Sequence, residues 1–176
     1  AEFYQLLNAG KQSVAFDFSS DQGRSDLRKL IAAADIVIEA SRPRAMRQLG
    51  INSDELMAEK PGKLWLRLTA YGARADRIGF GDDIGVAAGL CMLMEHCWGE
   101  PFFVGDAIAD PISGLFGALA AWTKWINGGG GLVDMSMRDV VRRAIGRLDD
   151  PENRAAVWQD LATSDAGALY PMRTPH

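Results

Sequence analysis

One long helical pattern constrains the fold of this chain more than any other part of its sequence. Large apolar residues recur at the three- and four-residue spacing of a single helix face, at Ile112, Leu115, Phe116, Leu119, Trp122 and Ile126. Small residues that would let another backbone approach closely lie between them, at Gly114, Gly117, Ala118 and Ala121. The pattern therefore predicts a helix over residues 112–126 that buries its large side chains against another layer of the protein.

The two residues before this helix are a start signal, and they bring a carboxylate to the helix terminus. Pro111 suits the first helical position, and Asp110 suits the cap before it. A carboxylate at the positive end of a helix is stabilised, so we expect a lowered pKa for Asp110. From the residues alone two roles stay open, a simple helix cap or a nucleophile of the kind that forms aspartyl intermediates.

The first forty residues predict a strand, a helix and a second strand. Residues 13–18 alternate apolar and polar side chains, as a strand does, and residues 24–34 carry apolar side chains on one helical face. Residues 35–40 form a nearly continuous apolar run, which is typical of a parallel strand covered on both faces. Strand, helix and strand in this order form a βαβ unit with a right-handed crossover.

The remaining sequence continues this alternation up to about residue 148. Residues 71–83 read as a loop over the carboxyl ends of the strands, where open α/β sheets bind ligands. We therefore predict an α/β domain over residues 1–148, with a mostly parallel, Rossmann-like sheet flanked by helices, and leave residues 149–176 unplaced. The other predicted elements are helices over 45–49, 53–60, 84–95 and 137–146 and strands over 63–70 and 132–136.

Composition and charge exclude several classes of function. The net charge of -4 at pH 7 argues against a nucleic-acid or anionic-membrane surface, and no apolar run is long enough for a membrane span. Cys91 and Cys97 are too few for a disulfide framework, which fits a reducing cytoplasm. Together with His96 they lack the spacing of a zinc site, so we predict no metal.

Four motifs, taken in order, resemble those of the class III CoA-transferases, the CaiB/BaiF-like family that includes formyl-CoA and carnitine CoA-transferases and α-methylacyl-CoA racemases. They are LLNAGKQSVAFDF, AADIVIEASRPRAMRQLG, GDAIADPISGLFGALAA and GGGGLVDMSMRDV, and the resemblance spans residues 6–140. It implies the fold of the family's large domain. The family's first strand would precede Ala1 and its smaller domain is not recognisable, which implies a fragment or a divergent member.

The resemblance gives Asp110 the role of nucleophile, because the family's nucleophilic Asp is followed four residues later by Gly, as Asp110 is by Gly114. The implied activity transfers CoA from an acyl-CoA to a carboxylic acid through aspartyl anhydride and thioester intermediates. Asp106 is the rival carboxylate, but its spacing to a following Gly does not fit. The resemblance further implies an interlocked homodimer, with CoA as substrate and no tightly bound cofactor.

Contacts with CoA are carried over to ten positions by the same resemblance. Three of them depart from the family, since Ala40-Ser41 replaces Asn-Phe and Gln48 replaces an Arg, which removes a possible stacking ring and a phosphate partner. The predicted contact residues are Phe16, Asp17, Phe18, Ser19, Ala40, Ser41, Arg42, Gln48, Asp82 and Asp83.

Three other functions are alternatives to the transferase. The replaced contact positions favour a relative that keeps the fold without turnover. A racemase would need the His of a "GHD" motif, and this chain has Gly81-Asp82-Asp83 there. A nicotinamide-binding domain would need a GxGxxG turn after a strand, which is missing.

Overall fold

The computed structural model describes residues 2–42, 44–75, 77–146, 156–157 and 159–160. Most of the unplaced segment 149–176 therefore lies outside the described residues. The helices are α1 (Glu2–Leu7), α2 (Asp21–Ala33), α3 (Ala45–Gln48), α4 (Ser53–Glu59), α5 (Gly81–Ala88), α6 (Leu90–Trp98), α7 (Ala109–Ile126) and α8 (Met137–Ile145). The strands are β1 (Ile36–Glu39), β2 (Leu64–Thr69) and β3 (Gly131–Ser136).

The three strands form one parallel sheet in the order β1-β2-β3. Side chains of the central strand alternate between two helical layers, because successive residues of a strand point to opposite faces. Trp65 packs in a cluster with Ile31 of α2 and Leu56 of α4, whereas Leu64 and Leu66 pack with Ala121 of α7. The predicted α/β class, with a parallel sheet and flanking helices, is confirmed.

The prediction of a strand over residues 13–18 is wrong, and so is the prediction that β1 is covered on both faces. Residues 13–18 have no strand structure and are mostly exposed, while Ile38 of β1 is 67% exposed. A strand requires a neighbour for its backbone N–H and C=O groups. Among the described residues no strand lies beside 13–18, so an alternating sequence alone does not produce one.

α7 forms as predicted but packs with the opposite face. Its buried residues are the small ones, Ala109, Ser113, Gly117 and Ala121, which we call the inner face. The predicted buried residues instead form an outer face, on which Leu115, Leu119, Trp122 and Ile126 are 72%, 63%, 63% and 61% exposed. A Cβ added at Gly117 would lie 3.2 Å from Leu66 Cδ2. The helix therefore lies too close to the sheet for large side chains.

The helix predicted over residues 84–95 is two helices, and it begins earlier than predicted. α5 begins at Gly81, so Asp82 and Asp83 lie in its first turn and not in a loop. It ends at Ala88, and the next residue, Gly89, has a φ of 101° that separates α5 from α6. The cap of α4 is Asn52, whose side chain accepts from Asp54 N.

Candidate active site

Asp110 lies in the first turn of α7, but it is not the helix cap. The helix begins at Ala109, the cap position is Ile108, and no side chain makes a capping hydrogen bond. Pro111 is the third helical residue, a position in the first turn that tolerates proline because its N–H has no partner within the helix. The cap interpretation of Asp110 is therefore wrong. No hydrogen bond or ion pair within the described part of the chain engages its carboxylate.

A tight turn precedes α7 and sets the position of the Asp110 backbone. Ala107 has a φ of 48°, in the left-handed region that residues with a Cβ seldom adopt. Its carbonyl oxygen accepts a hydrogen bond of 2.9 Å from the backbone N of Asp110. The position of Asp110 is therefore coupled directly to the conformation of this turn.

The first turn of α5 packs against the same turn. Asp82 Oδ1 accepts a hydrogen bond from Ala107 N at 2.9 Å, and a Cβ added at Gly81 would lie 2.5 Å from the Ala107 carbonyl oxygen. Asp83 Oδ1 accepts from Phe80 N at 2.6 Å and so stabilises the start of α5. These contacts bring two carboxylates close to Asp110.

The electrostatic surroundings of Asp110 differ from the prediction. Protein atoms shield its carboxyl in part from water, and this burial raises its pKa; the negative charges of Asp82 and Asp83 raise the pKa further. The lowered pKa expected from the helix terminus is wrong, because burial and the two neighbouring carboxylates act against the helix dipole. Asp110 remains exposed overall, and its immediate neighbours favour the protonated carboxyl more than water alone would.

The predicted CoA contacts at residues 16–19 form the turn that precedes α2. Ser19 donates to Asp17 Oδ1 from its backbone N (2.9 Å) and its Oγ (2.5 Å), and these bonds lower the pKa of Asp17. Ser20 caps α2 by accepting from Gly23 N. Phe18 is exposed and Phe16 is partly buried. The structure places these side chains at a helix start, not at the end of a strand.

A second group of predicted CoA contacts follows β1, beside a buried polar cluster that no motif in the sequence had indicated. Ser41 Oγ donates to Glu39 Oε1 (3.2 Å), and Glu39 Oε2 accepts from Trp65 Nε1 (2.8 Å) and Arg67 Nε (3.4 Å). A cavity of about 430 Å³ is lined by Glu39, Arg67 and Arg47 of α3. Ala40, Ser41, Arg42 and Gln48 do not line it. The sequence signal for this cluster was a Glu at the end of one predicted strand, with a Trp and an Arg on the next strand along the chain.

A second cavity, of about 780 Å³, lies where β2 and β3 end, between the loop after β2 and helices α7 and α8. Its lining includes Tyr71, Arg74, Phe116 and Arg143, and not Asp110. The described residues thus bring Asp82 and Asp83 to Asp110, whereas neither of these two cavities is lined by Asp110 or by a predicted CoA contact.

Two further features concern metals and membranes. His96 Nδ1 lies 2.8 Å from the carbonyl oxygen of Met92, one turn earlier in α6, as expected of a helical side chain. Over the described ranges, no three His, Cys, Asp or Glu side chains gather as a metal site would require. None of the helices described is both long and apolar enough to span a bilayer.

Comparison with known proteins matches this chain to CoA-transferases. The sequence model of CoA-transferase family III matches residues 1–147. A probable fatty acyl-CoA transferase of Mycobacterium tuberculosis is 31% identical over 147 residues, which cover 80% of this chain and 37% of that protein. The succinate–glutarate CoA-transferase of Agrobacterium fabrum is 26% identical over the same length, with the same shares covered.

A solved structure agrees in fold. The CAIB/BAIF family protein of Brucella suis superposes with a TM-score of 0.71 and 25% identity, over 99% of this chain and 44% of that one. The chain thus spans well under half the length of these relatives. Since the family model covers most of the chain, this protein belongs to CoA-transferase family III.

Proposed function

We propose that the protein transfers CoA from an acyl-CoA to a carboxylic acid, with Asp110 as the covalent nucleophile. The observation that carries this proposal is the position of Asp110. Its carboxylate lies in the first turn of α7 and has no hydrogen-bond or salt-bridge partner among the described residues, and partial burial and two like charges raise its pKa. A carboxylate in this state is free to attack a carbonyl carbon.

The proposed sequence has four steps, each of which exchanges one acyl bond for another. A carboxylate oxygen of Asp110 attacks the thioester carbonyl of the donor; the C–S bond breaks, CoA leaves as a thiolate, and a mixed anhydride remains. The thiolate then attacks the aspartyl carbonyl, which releases the donor acid and leaves an aspartyl-CoA thioester. The acceptor carboxylate attacks this thioester to give a second anhydride and CoA thiolate. Attack of the thiolate on the acceptor carbonyl forms the new acyl-CoA and regenerates Asp110.

The proposed substrates are an acyl-CoA and a small carboxylic acid, with no tightly bound cofactor. The printed name of the Agrobacterium relative includes two dicarboxylic acids, succinate and glutarate, which makes succinyl-CoA a sensible first donor to test. The CoA contacts would come from residues 16–19, 40–42, Gln48 and Asp83. We further propose a cytoplasmic homodimer, whose interlocking would give the apolar outer face of α7 a surface to bury.

The test is covalent trapping of the protein, followed by mass spectrometry. The protein is incubated with succinyl-CoA and other acyl-CoA donors and quenched with hydroxylamine, which converts an activated aspartyl group to a hydroxamate. We expect modification on the peptide that contains Asp110, and its loss in Asp110→Asn. Asp106→Asn removes the same charge four residues earlier in the chain and is expected to keep the modification. An adduct that survives in Asp110→Asn, or that depends on Asp106, would overturn the role of Asp110.

A second candidate, a relative without turnover, is favoured by one observation: the cavity beside the end of β1 is lined neither by the predicted CoA contacts that follow β1 nor by Asp110. The same experiment separates the two candidates. A folded protein that forms no adduct with any donor, yet still binds CoA in calorimetry, would support the non-catalytic function.

A further inference from the structure

The turn before α7 contains one unusual backbone conformation, and it lies next to Asp110. Ala107 has a φ of 48°, and it is the one non-glycine residue with a positive φ among those described. Conformations of this kind persist only where surrounding contacts impose them, and they are concentrated at functional sites. The contacts that impose this one are therefore informative about function.

Two contacts from the first turn of α5 hold Ala107 in place. Asp82 Oδ1 accepts a hydrogen bond from Ala107 N at 2.9 Å, and Gly81 lies so close to Ala107 that an added Cβ would lie 2.6 Å from its Cβ. On the other side of this residue, the Ala107 carbonyl oxygen accepts from Asp110 N at 2.9 Å. A short path of two hydrogen bonds thus joins the carboxylate of Asp82 to the backbone of Asp110.

We propose that Asp82 is a positioning residue for Asp110: by accepting the hydrogen bond from Ala107 N, its carboxylate holds the left-handed turn that presents the Asp110 side chain at the start of α7. The inference rests on the proposed role of Asp110 as nucleophile. It assigns Asp82 to the turn and not to CoA, since the Oδ1 atom of Asp82 is already engaged by a backbone N–H of this chain.

Asp82 acts on Asp110 in a second way, through its charge. Among the described residues, the charged groups that shift the pKa of Asp110 are Asp82 and Asp83, both on α5, and both raise it. The charged side chains of the other elements that pack on α7, and of its own helix and entry turn, do not shift it: Arg67, Asp134, Arg138, Asp139, Arg142, Arg143, Lys124 and Asp106. The two effects of Asp82, hydrogen bond and charge, can be separated by substitution.

Three variants make this separation. Asp82→Asn removes the charge and keeps an oxygen that can accept from Ala107 N, whereas Asp82→Ala removes both. Asp106→Asn is the matched control, because Asp106 is exposed, lies next to Ala107 in sequence and carries the same charge without a bond to the turn. In each variant, acylation of Asp110 by succinyl-CoA is measured against pH, and exchange of the Ala107 amide hydrogen is followed by NMR.

We expect Asp82→Ala to slow acylation by about 100-fold, since small displacements of a reacting group cost about that much, and to speed exchange at Ala107. Asp82→Asn should keep the slow exchange and most of the rate, but shift the acid limb of the pH profile to lower pH, because the like charge is gone. Asp106→Asn should leave both measurements unchanged. A purely structural role for Asp82 would not produce the pH shift in Asp82→Asn.

The proposal is overturned if Asp82→Ala keeps both the acylation rate and the slow exchange of Ala107. It is equally overturned if Asp82→Asn and Asp106→Asn give the same pH shift. If the wild-type protein forms no adduct with any donor, the proposed function fails instead. The amide exchange and an NMR titration of the Asp110 carboxyl then still decide whether Asp82 holds the turn and acts on Asp110.

Discussion

The two faces of α7 are both largely apolar, yet one is buried and the other is exposed. The inner face of Ala109, Ser113, Gly117 and Ala121 is buried against the sheet, while the larger side chains of the outer face are mostly exposed. By transfer free energy alone, the large residues should be the buried ones. The difference teaches that close approach of the helix to β2 and β3 decides the packing here, and that only small residues permit this approach.

The two faces also contribute differently to the protein. The inner face fixes α7 on the sheet and so fixes the position of its first turn, which carries Asp110. The outer face is an apolar patch of the kind that marks an interaction surface in soluble proteins. Four predictions test this division, beginning with the largest expected effect.

Gly117→Leu should lower the free energy of unfolding by about 1–3 kcal/mol or more, as overpacked sites do. The new side chain would be forced against Leu66, since a Cβ alone would already lie 3.2 Å from Leu66 Cδ2. Gly114→Leu is the matched control on the same helix, because a Cβ there meets nothing within 4 Å. Urea unfolding measures both variants. Equal destabilisation at the two positions would contradict the division into two faces.

Ser113→Ala should raise the free energy of unfolding by about 1 kcal/mol, because it removes a buried hydroxyl without losing a hydrogen bond. Ser113 Oγ is fully buried and has no hydrogen-bond partner in the described structure. The control is Ser136→Ala, in which the lost hydroxyl is the cap of α8 and accepts from Asp139 N, so this variant should lose about 1 kcal/mol. Changes of the same sign would show that Ser113 has a partner.

Leu119→Gln and Trp122→Gln should change the free energy of unfolding of the monomer by no more than about 0.5 kcal/mol, as surface substitutions do. If the outer face is buried in the proposed homodimer, the same variants should shift the sedimenting species from dimer to monomer. A loss of more than about 2 kcal/mol, in a species that sediments as a monomer, would show that the outer face packs within the chain.

Asp110→Asn should give the smallest effect, a slight rise in melting temperature near pH 7. The raised pKa of Asp110 means that its ionised form is less favourable in the folded state than in the unfolded one. The ionised carboxylate therefore costs stability at high pH, and this cost disappears as the pH falls through its folded pKa to below about 4. Solvent exposure of the residue keeps the effect small. A gain that is the same at pH 4 and pH 7 would contradict this cause.

Much of the fold could be predicted because helices and parallel strands leave local patterns. Residues close together in sequence predicted the three strands β1, β2 and β3 and the helix α7. They also predicted the motif of Asp110 and Gly114. Each depends on periodicity or spacing within one segment. The family relationship was predicted on the same basis, from four local motifs in order.

The tertiary structure alone decided the rest, for one physical reason: packing distance and partners involve residues far apart in sequence. Residues 13–18 alternate correctly but have no neighbouring strand among the described residues, and α7 turns its small face inward because the sheet lies so close. Asp110 owes its raised pKa first to partial burial and then to carboxylates about thirty residues earlier in sequence, brought to it by the contact of Asp82 with Ala107. The sequence by itself thus determined which segments form and which carboxylate to examine, while the packing of α5 against the turn before α7 decided its surroundings.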